Sequence, residues 1–229
     1  MRLFLPIVCL IAVLLVNVIT TPGFFKVSIN NGVLYGYIVD VINRASELVI
    51  LAVGMTLVTA ASGGQDISVG ATAAIAGSVI LRVLCGGNSR PEHMQAPIIV
   101  AFLVAVLASM LCGAFNGILV AYFKIQPMVA TLILYTAGRS IAAWINNNEL
   151  PVISDESFSY FGGFIPGICI PTPFLIALLC IIVTVLVMKF TTLGLYTQAV
   201  GINEHSSKLN GLNPIFIKFI TFVILGVCV

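Results

Sequence analysis

At 229 residues, with 60% hydrophobic and only 8% charged side chains and a mean hydropathy of +1.16, this chain lacks the polar surface a water-soluble fold needs. A soluble domain is about half apolar and about a quarter charged, so lipid is the better solvent for the outside of this protein. The net charge of +2, with no basic cluster along the chain, argues against nucleic acid as a partner.

A helix that crosses a bilayer needs about 20 mostly apolar residues. The first such run is Leu3 to Ile19. Only Arg2 precedes it, as in a signal peptide, but no small-x-small cleavage pattern follows before Pro22. Cys9 also lacks the small residue that a lipoprotein signal places before its cysteine, so the run reads as an uncleaved first helix. The second run, about Val33 to Ala61, carries Asp40, Arg44 and Glu47 in its first half and is apolar from Leu48 onward. Those three charges fall at i, i+4 and i+7, one face with ion-pair spacing. They fit either a solvated helix end or a buried charge network.

Residues Ser62-Gly-Gly-Gln-Asp-Ile-Ser-Val-Gly70 then break the apolar sequence. Asp66 or Ser68 can cap the helix that follows. The segment is either a tight inward turn or a broken-helix element, because irregular backbone at membrane depth must be buried in protein or line a wet cavity. A third run ends near Leu84, a fourth covers about Ala96 to Phe123, and a fifth Met128 to Ile145. In the fourth, Gly113-x-x-x-Gly117 around Asn116 predicts a close helix contact with an interhelical hydrogen bond. In the fifth, Arg139 is the lone charge, placed to snorkel outward or to face protein or water.

A polar stretch from Asn146 to Pro171 precedes a sixth run, Thr172 to Met188. After another polar segment, Thr191 to Asn213, a seventh begins near Pro214 and is still apolar at Val229. Within that segment, residues 199–213 predict a short helix capped by Asn203, with Glu204 in its first turn, Lys208 four residues on as an ion-pair partner, and Gly211 at a left-handed C-terminal position. It reads as a surface connector or as a docking element for an aqueous partner. The expected fold is an all-α polytopic bundle, a single membrane domain of about seven spans with the last incomplete.

Lys and Arg favour the inner side of membrane proteins. With the N-terminus inside, Arg2, Lys124, Lys189, Lys208 and Lys218 lie inside, against Lys26, Arg90 and Arg82 outside. The largest outer loop holds Glu149, Asp155 and Glu156 without a Lys or Arg. The six cysteines form no CxxC or metal-spaced pattern; Cys85 and Cys169 lie at or near outward loops, where a disulfide could form. There is no G-x-x-x-x-G-K-[ST], and His93 and His205 fall on opposite sides, so neither an ATPase site nor a Ser-His or metal-dependent enzyme is legible.

Four blocks carry a family resemblance. Ile50–Val58 followed by Ser62–Gly70 resembles a family pattern AVGMTLV…(S/G)GIDLSVG. Phe115–Ala121 with Lys124–Leu134 is similar to a second pattern, continued by Ala137-Gly-Arg139, and 199–213 to a third. Asp40-Val-Ile-Asn-Arg44 is the fourth, and it points to the galactofuranose type. The chain resembles the ribose/galactose-type permease subunits of bacterial ABC importers over essentially its whole length. It departs at Gln65, where the family has an aliphatic side chain, and at His205-Ser206-Ser207, where paired alanines are usual. Family members are also considerably longer.

The resemblance implies a monosaccharide importer subunit in the bacterial inner membrane, with no cofactor of its own. ATP would be bound by a separate ABC ATPase subunit. The other partners would be a second permease subunit, a periplasmic sugar-binding protein and the lipid bilayer. It implies Gly201, Asn203, Glu204 and Gly211 as the surface coupling to the ATPase, and Gln65, Asp66, Ser68, Asn116 and Arg139 as residues of the translocation path. The competing readings are an ATP-independent secondary carrier and a non-transporting remnant of a permease gene.

Overall fold

A computed structural model describes residues 4–21, 23–30, 33–88, 91, 93–149, 151–153, 158, 160, 162–165 and 168–229. Among them the chain forms α1 (Phe4–Thr20), a hairpin of β1 (Ser28–Asn30) and β2 (Val33–Tyr35), then α2 (Tyr37–Ser62), α3 (Val69–Cys85), α4 (Ile98–Ala121) and α5 (Pro127–Ile145). After the polar stretch come α6 (Thr172–Phe190), α7 (Thr192–Ile202), α8 (Glu204–Leu209) and α9 (Pro214–Cys228). The result is an all-α membrane bundle. Four helices, α2, α4, α5 and α6, are long and apolar enough to cross a bilayer, while α1, α3 and α9 are shorter apolar helices. At 1.5 Å per residue, 17 residues reach about 26 Å, somewhat under the ~30 Å hydrocarbon thickness.

Local chemistry sets most boundaries. Gly63 ends α2 with φ +70° and donates its N–H to the Thr59 carbonyl at 3.0 Å, the left-handed terminus that glycine adopts without a Cβ penalty. Pro127 and Pro214 start α5 and α9 where a missing N–H costs nothing. The hairpin is absent from the sequence expectation, although Asn31-Gly32 between extended residues is the dipeptide most typical of a two-residue hairpin turn. Its strands pair antiparallel with Ile29 opposite Leu34, and the Leu34 N–H reaches the Cys169 carbonyl at 3.3 Å. The apolar run that was to begin at Val33 therefore starts as a strand.

The core sits where α9 packs against α4 and α2, and where α3 packs between α4 and α5. Val58, Val120, Ala130, Phe222 and Leu225 form one buried cluster, and Ile75, Leu134 and Ala142 a second. The Gly113/Gly117 pattern does what its spacing predicts. A Cβ on Gly113 would run into the carbonyl oxygen of Phe222, one on Gly117 would lie 3.1 Å from that of Phe219, and one on Gly226 2.5 Å from that of Ser109. The backbones of α4 and α9 thus touch, as small residues allow where lipid supplies no hydrophobic drive. In contrast, α1 has no buried residue.

Several expectations change. Asp40, Arg44 and Glu47 are all exposed, and no ion pair joins them. The solvated-end reading of that face of α2 therefore holds over the buried network. Cys85 is buried and Cys169 exposed, and both are free thiols, so no disulfide joins them. Arg2, Arg90, Asp155 and Glu156, used in the charge-asymmetry argument, lie outside the described residues.

Candidate functional site

Asp66, Ser68 and Asn116 converge, although 48 and 50 residues separate Asn116 from the other two. The break between α2 and α3 is pressed against the start of α5: a Cβ on Gly64 would come within 2.7 Å of Pro127. The Thr131 hydroxyl on α5 accepts from the Ile67 N–H at 3.1 Å. This fixes the strand of backbone that carries Asp66. One carboxylate oxygen, Oδ1, accepts from the Ser68 N–H at 2.7 Å and from the Ser68 hydroxyl at 2.6 Å. The other, Oδ2, accepts from Nδ2 of Asn116 at 3.1 Å, and the same amide also donates to Ser68 Oγ at 2.8 Å. Ser68 and Asn116 are essentially inaccessible and Asp66 is 6% exposed.

Either Asp66 or Ser68 was expected to cap α3, and the structure divides the work. Ser68 occupies the cap position, but its side chain accepts nothing from the first turn; instead Asp66 takes its N–H. The Ser68 carbonyl begins the helix by accepting from Thr72 N–H at 2.9 Å. Chemically the cluster is a lock. A carboxylate accepts at both oxygens, and here the two oxygens meet donors from two separate segments, which ties the α2–α3 break to the C-terminal third of α4. Thr131 was not singled out from the sequence, where nothing sets it apart from Thr136 and Ser140 in the same run.

The other two predicted path residues lie elsewhere. Gln65 is exposed beside the lock. Arg139 is exposed on α5, its guanidinium 5.7 Å from the centroid of the Tyr135 ring, while the adjacent Gly138 faces α3 at Ala71. Arg139 therefore points away from Asp66 and Asn116, in the manner of an interfacial arginine.

The 199–213 segment matches its expected local structure closely. Asn203 Oδ1 accepts from the Ser206 N–H at 2.9 Å, capping α8. Gly211 has φ +82° and Pro214 opens α9. Because nothing lies within 4 Å of a Cβ at Gly211, Gly211→Ala carries only backbone strain. We expect a loss of about 1–2 kcal/mol in thermal unfolding, with Gly211→Asn milder. Ser207 is buried and its hydroxyl donates to the Asn203 carbonyl at 2.9 Å, which satisfies a polar group where alanine would need no partner.

Three features of the segment were not foreseen. Residues 192–202 form a separate helix, α7, whose buried Gly194, Thr197 and Val200 recur every three residues. Gly201 is a packing residue, since a Cβ there would collide with the Ala60 carbonyl at the end of α2. Glu204 pairs with Lys218 of α9 at 2.6 Å and not with Lys208 as its spacing suggested. Tertiary packing brings α9 under α8, and the half-exposed pair is worth about 1 kcal/mol at most.

Beneath α8 lies a groove of about 720 Å³ that reaches the α4–α5 turn. Among the described residues no group of three His, Cys, Asp or Glu could hold a metal ion.

Residues 37–228 match the family model described as branched-chain amino acid transport system / permease component. The chain is 41% identical over 222 residues to the galactofuranose transporter permease protein YtfT of Escherichia coli K12, covering 97% of this chain and 62% of that protein. It is 32% identical to the fructose import permease protein FruF of Bifidobacterium longum, over 96% of this chain and 61% of that one. To the ribose import permease protein RbsC of Haemophilus influenzae it is 31% identical, over 98% and 64%. The chain thus spans a little under two thirds of the length of these relatives. No solved structure matches it significantly.

Proposed function

Since this chain belongs to the branched-chain amino acid transport system / permease component family, we propose that it is the membrane-spanning subunit of an ATP-driven importer for a monosaccharide of the galactofuranose or ribose kind. The observation that carries this reading is similarity over nearly the whole chain to permeases named for sugars. In the proposed assembly a periplasmic sugar-binding protein delivers the sugar and a second permease subunit completes the path. A separate ATPase subunit binds ATP and docks on the 199–213 segment. The membrane is the bacterial inner membrane, with the N-terminus and α8 on the cytoplasmic side.

The shape of α8 supports a docking role. Exposed aliphatic side chains stand at both ends of α8: Ile202, the last residue of α7, is 86% exposed and Leu209, the last of α8, is 78% exposed. Both offer apolar area that a protein partner would remove from water. Asn203 and Gly211 give the segment its bend and its end, and Glu204 braces it on α9 through Lys218. The docking contact is therefore assigned to Ile202 and Leu209, with Asn203, Glu204 and Gly211 holding the segment in place.

A secondary carrier would need a carboxylate free to exchange a proton or ion. Asp66, the buried carboxylate among the described residues, has its oxygens engaged by Ser68 and Asn116, which favours a structural use.

Co-purification of the proposed ATPase partner tests the reading. Ile202→Asp with Leu209→Asp is expected to reduce retained ATPase at least about tenfold, the effect of a single lost hot-spot contact of about 1.4 kcal/mol. Retention unchanged by that variant, and by disruption of Glu204 and Gly211 together, would place the docking surface elsewhere.

A further inference from the structure

We infer that the groove under α8 is a binding site for the headgroup of an anionic phospholipid. Along the sequence no basic cluster exists, but folding brings Lys124 from the α4–α5 turn, His205 and Lys208 from α8, and Lys218 from α9 to one groove of about 720 Å³. Glu204 is the one acid lining it, and that carboxylate is engaged by Lys218 at 2.6 Å. Lys124 and Lys208 therefore bring two positive charges with no acid in the groove left to balance them. Val120, Ile125, Leu212 and Ile215 line the same space, so the groove has a cationic part and an apolar part side by side, as a headgroup with its first acyl carbons requires.

Two further observations place the groove at headgroup level. Tyr122 and Phe123, next to Lys124 in the chain, are 64% and 69% exposed at the end of α4, and exposed aromatics at helix ends mark the membrane–water interface. The turn itself is ordered despite its strain: Lys124 holds φ +56°, and the Phe123 and Ile125 N–H groups bond back to the Ile118 and Leu119 carbonyls at 3.3 and 3.2 Å. A left-handed lysine is uncommon, and strained backbone of this kind collects at ligand sites. Basic pockets between helices at the membrane surface suit anionic headgroups. The exposed Ile202 and Leu209 do not line this groove, so a lipid here and a protein on α8 would use different residues.

The test is native mass spectrometry of the purified chain titrated with phosphatidylglycerol or phosphatidylcholine. The expected result is one tightly held phosphatidylglycerol, with phosphatidylcholine not retained and millimolar inorganic phosphate unable to displace the lipid. Lys124→Gln with Lys208→Gln should weaken retention about thirtyfold, since each lysine at an anionic surface contributes about fivefold. Lys124→Arg with Lys208→Arg should keep it. A control with the same charge loss outside the groove, Lys26→Gln with Lys189→Gln, should bind like the unaltered chain, and matching thermal unfolding would show that all variants fold. Equal retention of both lipids, or equal loss in the control, would overturn the inference. Retention unchanged in Lys124→Gln with Lys208→Gln would also overturn it, and loss of ATPase co-purification in that variant would then assign the groove to a protein partner.

Discussion

Asn116→Leu is expected to destabilise the bundle by about 2–4 kcal/mol, although leucine keeps the same number and branching of side-chain heavy atoms. The amide supplies the donor to Asp66 Oδ2 and a second donor to Ser68 Oγ. Its loss leaves a carboxylate oxygen at a residue 6% exposed without its interhelical partner, and hydrogen bonds to charged groups are the costly ones to leave unmade. Asp66→Asn should cost a similar amount for a different reason. Ser68 N–H faces one oxygen and Asn116 Nδ2 the other, so a new amide sets its NH2 group against a donor unless Asn116 turns its own amide and gives up the bond to Ser68 Oγ. The double variant Asp66→Asn with Asn116→Asp places a donor opposite an acceptor again and should recover about 1–2 kcal/mol relative to the sum of Asp66→Asn and Asn116→Asp made singly, the unaltered chain being the fourth protein of the cycle. Thermal unfolding in detergent of the four proteins reads this directly. Strictly additive losses would mean that the three side chains do not act as one lock.

The second large effect lies one turn away on the same helix. Gly113→Ala is expected to cost about 1–3 kcal/mol, because the added carbon meets the backbone carbonyl of Phe222, which has no rotamer to yield. Gly226→Ala meets the Ser109 carbonyl at 2.5 Å and should cost about the same. Both clashes are relieved by a single separation of α4 from α9, so the double variant should cost clearly less than the sum. Gly77→Ala in α3 is the control. Nothing lies within 4 Å of its Cβ, and replacing an open helical glycine should stabilise by about 0.5–1 kcal/mol. If Gly113→Ala and Gly77→Ala unfold alike, the seam between α4 and α9 is looser than described. The seam also bears on the lock, since moving α4 carries Asn116 with it.

Local features were legible in the sequence wherever their cause is local. The cap at Asn203, the left-handed Gly211, the proline start of α9 and the run of apolar helices each depend on a few neighbouring residues. The same is true of the small-residue face at Gly113 and Gly117, although its partner, α9, could not be read. The hairpin was also a local signal and was obscured by the apolar residues around it. Helix α7 was hidden for the opposite reason: its buried positions are a glycine, a threonine and a valine, too weak a pattern to stand out from a polar loop.

Membrane residence and the all-α class followed from composition, because so few charges cannot cover a water-facing surface and only helices or closed barrels satisfy backbone polar groups in lipid. Family membership likewise lay in the order and spacing of short motifs. Partner choice lay beyond the sequence. Glu204 has Lys208 at ideal spacing and takes Lys218; Asp66, Ser68 and Asn116 meet across 48–50 residues while Arg139 turns away; and scattered lysines become one basic groove. Spacing along a helix determines which face a side chain occupies, but only the packing of α4, α8 and α9 decides what that face meets.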